Sequence, residues 1–451
     1  MATVGGACLG ASIDFTGVPR QDITQKPARP SATKALILLV MVSGLAAVVS
    51  TRPLEWLLGS DFPHFYCAAR MLSEGRGNQL YDGGVQRQYQ ARYAGRVGTP
   101  YTHPPFETLI YLPVAWLPLR MAYLLWFLLN IFFLAAASRR LATHLPLPWD
   151  WRILVAASLM FVPLLLCLLQ GQDSVLLLWF VVLAFTELRR GRSFVSGCWL
   201  AVGLFKFQLI LPLALVLTLT RGKGAMAKGF SLVALGLAGL SAAISGWRVF
   251  ISYPSFLLHL REQPFAGFAP QAMANLRGLA GFLLRHHSSR WQMLATGILS
   301  GVALVPTLGA WKRVRSVALA TSPTAAHADE FDSAFASTLL FALLVSFHLN
   351  PHDLSLLLLA ILLLHHGFSS LPRRSWEKVL TIGLLTILFL PPLHLWMLQA
   401  SAYALVGIPV LALFLISLAI HRRDHVAAAN LALEPTPGPG FAADSKGSIQ
   451  K

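Results

Sequence analysis

Apolar runs of about the length of a bilayer crossing recur between Ala35 and Ile420, and this repetition limits the fold more than any other feature of the chain. A helix needs roughly 17–25 predominantly apolar residues to cross the hydrocarbon core. Repeated runs of that size exclude a soluble body carried by one anchor. The runs are rich in Leu, Ala and Val and lack alternation of apolar and polar positions, so they read as helices and not as barrel strands. Composition agrees: 55% of the 451 residues are hydrophobic and 12% are charged, more apolar surface than an aqueous globule can bury. The fold class is therefore an all-α polytopic membrane protein.

The runs place crossings near 35–51, 121–138, 153–168, 174–188, 194–206, 208–220, 228–246, 291–310, 333–347, 353–367, 377–395 and 402–420, twelve in all. Segment 105–118 is apolar but short, and Pro104, Pro105, Pro113 and Pro118 interrupt it, so it reads as re-entrant or interfacial. Charge supports that choice. With 105–118 not crossing and the N-terminus cytosolic, the groups around Arg139/Arg140, Arg189/Arg190, Arg221/Lys223, Lys312/Arg313, Arg373/Arg374 and Arg422/Arg423 all face the cytosol. Loops 169–173, 348–352 and 396–401 on the opposite side hold no Lys or Arg. The net charge of +17 is thus topology information, because the basic residues sit in short groups between apolar runs and form no single basic face for nucleic acid. Residues 1–34 and 421–451 read as disordered cytosolic ends around one domain, 35–420. Cys8, Cys67, Cys167 and Cys198 form no CxxC pair, which leaves neither a disulfide framework nor a zinc site.

This topology gathers the polar motifs on the external side. Residues 61–75 predict an amphipathic interfacial helix with Phe62, Phe65, Ala69 and Leu72 on one stripe. Asp61 precedes Pro63, where a cap is ordinary, yet an ionisable residue at the membrane boundary three positions before His64 is a candidate base. His103 stands in Tyr101-Thr-His-Pro-Pro105, either as part of a proline-driven loop or facing a cavity. Gln170-Gly-Gln172-Asp173 makes a tight turn or reads hydroxyl groups. Lys206 interrupts 27 otherwise apolar residues, as in a broken hairpin whose cation faces protein or water and suits a phosphate. Arg277, in Asn275-Leu-Arg-Gly278, offers a planar fork for a phosphate. His348-Leu-Asn350-Pro-His352-Asp353 is the densest polar cluster. Pro351 spoils helical registration of its two histidines, so no metal is expected there.

Taken in order, these residues resemble glycosyltransferase family 87, the domain-of-unknown-function 2029 group. The likeness lies in Asp61-Phe-x-x-Phe-Tyr-x-Ala-Ala-Arg70, Leu80-Tyr-Asp82, Pro104-Pro105, Gly171-Gln172, Gly203-x-x-Lys206, Asn275-Leu-Arg-Gly278 and His348 to Asp353, over roughly residues 35–420. Two positions depart from the family pattern: Lys206 is followed by Phe207 in place of proline, and His352-Asp353 stands where Tyr-Asp is usual. The resemblance implies a GT-C-like bundle that uses a polyprenyl-phosphate sugar donor, with mannose the sugar in the mycobacterial enzymes of phosphatidylinositol mannoside synthesis. It also implies a bacterial inner-membrane setting, a lipid or glycan acceptor, no cofactor and no nucleic acid.

On this resemblance Asp61 is the expected catalytic base, aided by His348 and His352. Lys206 and Arg277 are expected to hold the donor phosphate, with His64, His103, Gln172, Asn275, Asn350 and Asp353 at the substrate. The principal rival is a transporter or lipid flippase whose Lys206 break lines a path, although the two halves show no self-similarity. A ligase moving a preassembled glycan is a third possibility.

Overall fold

The computed structural model describes residues 41–42, 60–221, 224–260, 269–320, 325–365 and 376–433. The expected disordered leader and nearly all of the first expected crossing lie outside them. Helices in chain order are α1 (Phe62–Ser73), α2 (Gly83–Ala94), α3 (Thr108–Ala115), α4 (Leu119–His144), α5 (Trp151–Leu159), α6 (Val162–Gln170), α7 (Ser174–Arg189), α8 (Ser193–Val202) and α9 (Phe207–Arg221). They continue with α10 (Ala225–Ser245), α11 (Val249–Leu260), α12 (Leu276–Leu283), α13 (Ser289–Ala320), α14 (Ala325–Val345), α15 (Leu357–Leu363), α16 (Trp376–Phe389), α17 (Pro391–Gln399) and α18 (Gly407–Leu433).

Among the described residues, five helices are long and apolar enough to cross a membrane, or up to seven if each of two bent pairs counts as one span. The expected count of twelve is not confirmed on these residues, which leave out nearly all of the first expected crossing. Hydropathy registers continuous apolar sequence, whereas a crossing needs unbroken length. Helix α7 has 16 residues, about 24 Å of rise against a core of roughly 30 Å. The pairs α5–α6 and α16–α17 bend by 77° and 66°, each with proline at the break (Pro163; Pro391 and Pro392).

By length, Ser193–Thr220 qualifies as one segment of 28 residues. Its path does not run straight. A Cβ built on Gly203 would stand 3.1 Å from Cγ1 of Ile210, whereas seven residues of straight helix advance about 10 Å. The chain therefore folds back through the 3₁₀ turn Gly203–Lys206, as the broken hairpin requires. Helix α10 then starts beside the start of α8: a Cβ on Gly197 would lie 2.2 Å from the Met226 carbonyl oxygen, and one on Gly229 would lie 2.0 Å from that of Phe194. Its other end meets the chain after α1, where a Cβ on Gly77 would lie 2.2 Å from the Ile244 carbonyl oxygen.

Segment 105–118 forms a 3₁₀ turn, Pro105–Glu107, and the eight-residue α3, about 12 Å long and too short to cross. Helix α1 corrects the interfacial expectation. Phe62, Phe65 and Ala69 are fully buried, but so are Cys67 and Ala68 on the other side, because α2 and α3 both pack on it. Among the described residues of the first long loop, α1 is therefore packed into the protein on both sides. The tail is corrected as well: α18 runs to Leu433, so 421–433 is helical, and 434–451 lies outside the described residues. Away from the cavity described next, Arg140, Arg190 and Arg192 gather around Glu187, and Arg189 pairs with Asp332 at 3.0 Å.

Candidate active site

One end of the bundle holds a half-open cavity of about 720 Å³. Asp61, His64, His103, Gln172, Lys206, His348, Asn350, His352 and Asp353 all line it, although they come from segments nearly three hundred residues apart. Phe207, Leu257, Phe347 and Leu398 give it apolar walls.

Asp61 opens α1, and Pro63 fits the first turn of that helix. Its carboxylate makes no capping hydrogen bond to its own helix. Instead Oδ2 accepts from Nε2 of Gln172 at 2.7 Å, across 111 residues of chain. Gln172 is aimed by its turn. The indole of Trp126 donates to the carbonyls of Gly171 and Gln172 at 2.9 and 3.3 Å, and Tyr123 donates to that of Leu169 at 2.6 Å. Gly171 ends α6 with φ +67°, and a Cβ there would lie 2.7 Å from Cβ of Phe62. Any side chain would meet both an unfavourable left-handed backbone and the residue beside Asp61.

His64 and His103 line the same wall with their rings 6.2 Å apart, and Nδ1 of His64 lies 3.3 Å from the Thr99 hydroxyl. Burial pushes both down, His64 to about 4 despite the nearby Asp61, and His103 to about 3, so both are neutral near pH 7. His103 is held from behind: Tyr81 donates to its carbonyl at 2.7 Å, and its Nδ1 lies 3.0 Å from Oε2 of Glu107.

Lys206 departs from its expected role as a free phosphate cation. It is 2% exposed, and Nζ meets Oδ1 of Asp353 at 2.6 Å, Oγ of Ser174 at 2.9 Å and Oδ1 of Asp173 at 3.0 Å. Two of these contacts, to Asp353 and Ser174, are hydrogen bonds, and Asp173 adds a second ion pair. A cation taken out of water needs that compensation, so Lys206 is a fixed part of the wall. Asp353 is likewise committed: it accepts from Ser174 at 2.9 Å, and its Oδ2 accepts the Asn350 amide at 2.9 Å. His352 faces Oε1 of Gln170 at 2.9 Å.

Two expected residues stand outside the lining. Asn275 is fully buried. Its Oδ1 caps α12 by accepting from Gly278, and its Nδ2 donates to the Ser346 carbonyl at 2.6 Å. It ties α12 to the turn before His348 and offers nothing to a substrate. Arg277 sits over the Phe347 ring, 5.8 Å from its centre, and donates to the Phe347 carbonyl at 2.6 Å. That places its guanidinium at the rim, beside two lining residues.

Sequence reasoning passed over Glu107 and treated Asp173 only as part of a turn. Both are fully buried behind His103 and Lys206. Burial and the adjoining Asp173 carboxylate push the Glu107 carboxyl well up. Burial also acts on Asp173, but Lys206 and Glu107 outweigh it and hold that carboxyl at about 2. The spacing His103-x-x-x-Glu107 was the available signal for this pair.

Among curated proteins, none matches the chain. A similar solved structure is the crystal structure of ArnT from Cupriavidus metallidurans bound to undecaprenyl phosphate, with 14% identity, 87% of this chain and 78% of that chain covered, and a TM-score of 0.34. That likeness is too remote to fix either fold or chemistry. The sequence profile described as Glycosyltransferase family 87 matches residues 101–346, more than half of the 451. The matched span holds His103, Gln172, Lys206 and Arg277, and the chain belongs to glycosyltransferase family 87.

Proposed function

We propose that the chain is an inverting membrane glycosyltransferase that moves a hexose, mannose by the family likeness, from a polyprenyl phosphate to a lipid or glycan acceptor on the external face. Asp61 is the base. The observation that carries this reading is the direction of its carboxylate, which leaves its own helix uncapped and meets Gln172 at the cavity. In the step itself, Asp61 takes the proton of the acceptor hydroxyl while that oxygen bonds to the anomeric carbon. The bond from that carbon to the phosphate oxygen breaks on the opposite side, and the lipid phosphate departs with the electron pair.

Supporting features surround that step. Buried polar atoms without a partner are costly, and two of them, Nε2 of His64 and Oε1 of Gln172, belong to residues that line the cavity, where a bound sugar would relieve that cost. Arg277 at the rim and His348 in the lining are assigned the phosphate contact, because Lys206 is buried against Asp353, Ser174 and Asp173. The apolar walls at Leu257 and Leu398 suit a lipid-linked donor. The external orientation rests on the basic loops of the sequence. Membership of a glycosyltransferase family weighs against the transporter reading.

The test is purified protein in lipid, offered polyprenyl-phosphate sugars and followed by mass analysis of the product. Asp61→Asn should lower turnover by roughly 10²–10⁴-fold, the usual contribution of a general base, with donor binding retained. Turnover close to wild type would reject the base.

A further inference from the structure

We propose that His103, Glu107 and Asp173 form a divalent-cation site behind the cavity wall, suited by one imidazole and two carboxylates to Mn²⁺ or Zn²⁺. Each residue offers one ligand atom, and these atoms all lie within 4.8 Å of one another. First-row cations bind such ligands at about 2.0–2.2 Å, which demands ligand atoms that close. The three donors reach this point from different segments. His103 comes from the loop before the 3₁₀ turn, Glu107 from the end of that turn, and Asp173 from the residue before α7.

Two further observations point to a cation. Oε1 of Glu107 and Oδ2 of Asp173 have no hydrogen-bond partner, although both residues are fully buried. Charge is the second. With Glu107 ionised, as an ion held there would keep it, Asp173, Asp353 and Glu107 carry three negative charges around the single positive charge of Lys206. One divalent ion makes that sum zero, and a neutral cluster removes most of the penalty for burying charge.

The surroundings fit as well. Tyr101 donates to Oε2 of Glu107 at 3.0 Å, and Lys206 holds Oδ1 of Asp173 at 3.0 Å, so each carboxylate is oriented by an outer partner while one oxygen stays open. His103 lines the cavity with its side chain 16% exposed, which gives an ion a route in. A bound ion would fix the wall that carries His103 and Lys206. The site stands apart from the donor assignment: a chain that binds the ion and transfers no sugar leaves this inference intact.

The experiment uses the full chain in detergent, stripped with EDTA, freed of chelator and titrated with Mn²⁺ while the free-ion signal is read by electron paramagnetic resonance. One Mn²⁺ per chain is expected, displaced by Zn²⁺, with the apparent melting temperature raised by the ion. Glu107→Gln and Asp173→Asn should each weaken binding by at least about tenfold, the lower range even for outer-shell partners. A wild-type chain that takes up no Mn²⁺ and melts unchanged overturns the site, and that measurement decides the matter even where a variant fails to fold. A protonated-carboxyl infrared band that persists with Mn²⁺ and vanishes in Glu107→Gln also overturns it, because a proton shared with Asp173 then fills the place of the ion.

Discussion

Lys206→Met isolates the largest electrostatic commitment in the wall. Methionine keeps the length of the side chain but leaves Asp173 and Asp353 facing each other without the ammonium that lies 3.0 and 2.6 Å from them. At an effective dielectric near 20, each contact is worth about 6 kcal/mol before the cost of desolvation. Desolvation offsets most of that, and breaking a buried pair on one side leaves a net loss of roughly 3–5 kcal/mol. At about 2 °C per kcal/mol, the lower end of the scale for larger domains, the apparent melting temperature should fall by about 6–10 °C. Thermal unfolding in detergent reads this directly. Adding Asp353→Asn should restore part of the loss, because it removes one of the stranded charges. A Lys206→Met protein that melts with wild type, or a double variant no better than the single, would refute the assignment of Lys206 as a structural counter-ion.

Gly171→Ala should cost roughly 1–2 kcal/mol for the left-handed backbone and push Phe62. Because a shift of about 1 Å can cost on the order of 10²-fold in rate, turnover should drop far more than donor affinity, and unchanged turnover would uncouple this turn from Asp61. Acid should destabilise the protein through His64. Its folded value of about 4 lies below the ordinary 6.5, so the unfolded chain binds the extra proton first; stability is complete above pH 6.5 and falls toward pH 4 by about 3 kcal/mol. Stability profiles of wild type and His64→Gln should therefore diverge in that window, and parallel profiles would remove His64 as the cause. Arg277→Ala should raise the apparent donor KM, and an unaltered KM would take the residue out of phosphate binding.

Much of the site was readable one residue at a time. Asp61, His64, Gln172, Lys206 and the 348–353 turn were each marked by polarity in an apolar setting, and all line the cavity. Pairings were not readable. Lys206 meets Asp353 across 147 residues, and nothing in a single sequence says that a conspicuous cation is already neutralised. Glu107 was hidden because the prolines around it made the segment look like a membrane element, which drew attention from its spacing to His103. Asn275 was ambiguous for a related reason: an amide before Leu-Arg-Gly serves equally as a helix cap, and the structure places it there, buried and outside the lining. The number of crossings is not confirmed: a window of apolar residues registers hydropathy alone, and it passes over bends such as those at Pro163 and Pro391.

Helix α10 is touched backbone to backbone near both ends, at Gly197 and Gly229 on one side and at Gly77 on the other, while Leu232 and Leu235 along it are exposed. A helix so placed works as a post. It cannot swing to admit a lipid without prying apart main chains that have no side-chain slack between them. On the proposed function, a long lipid tail would then reach the cavity by the flank bordered by Leu257 and Leu398, and enlarging any of the three glycines should disturb the frame before it alters the chemistry.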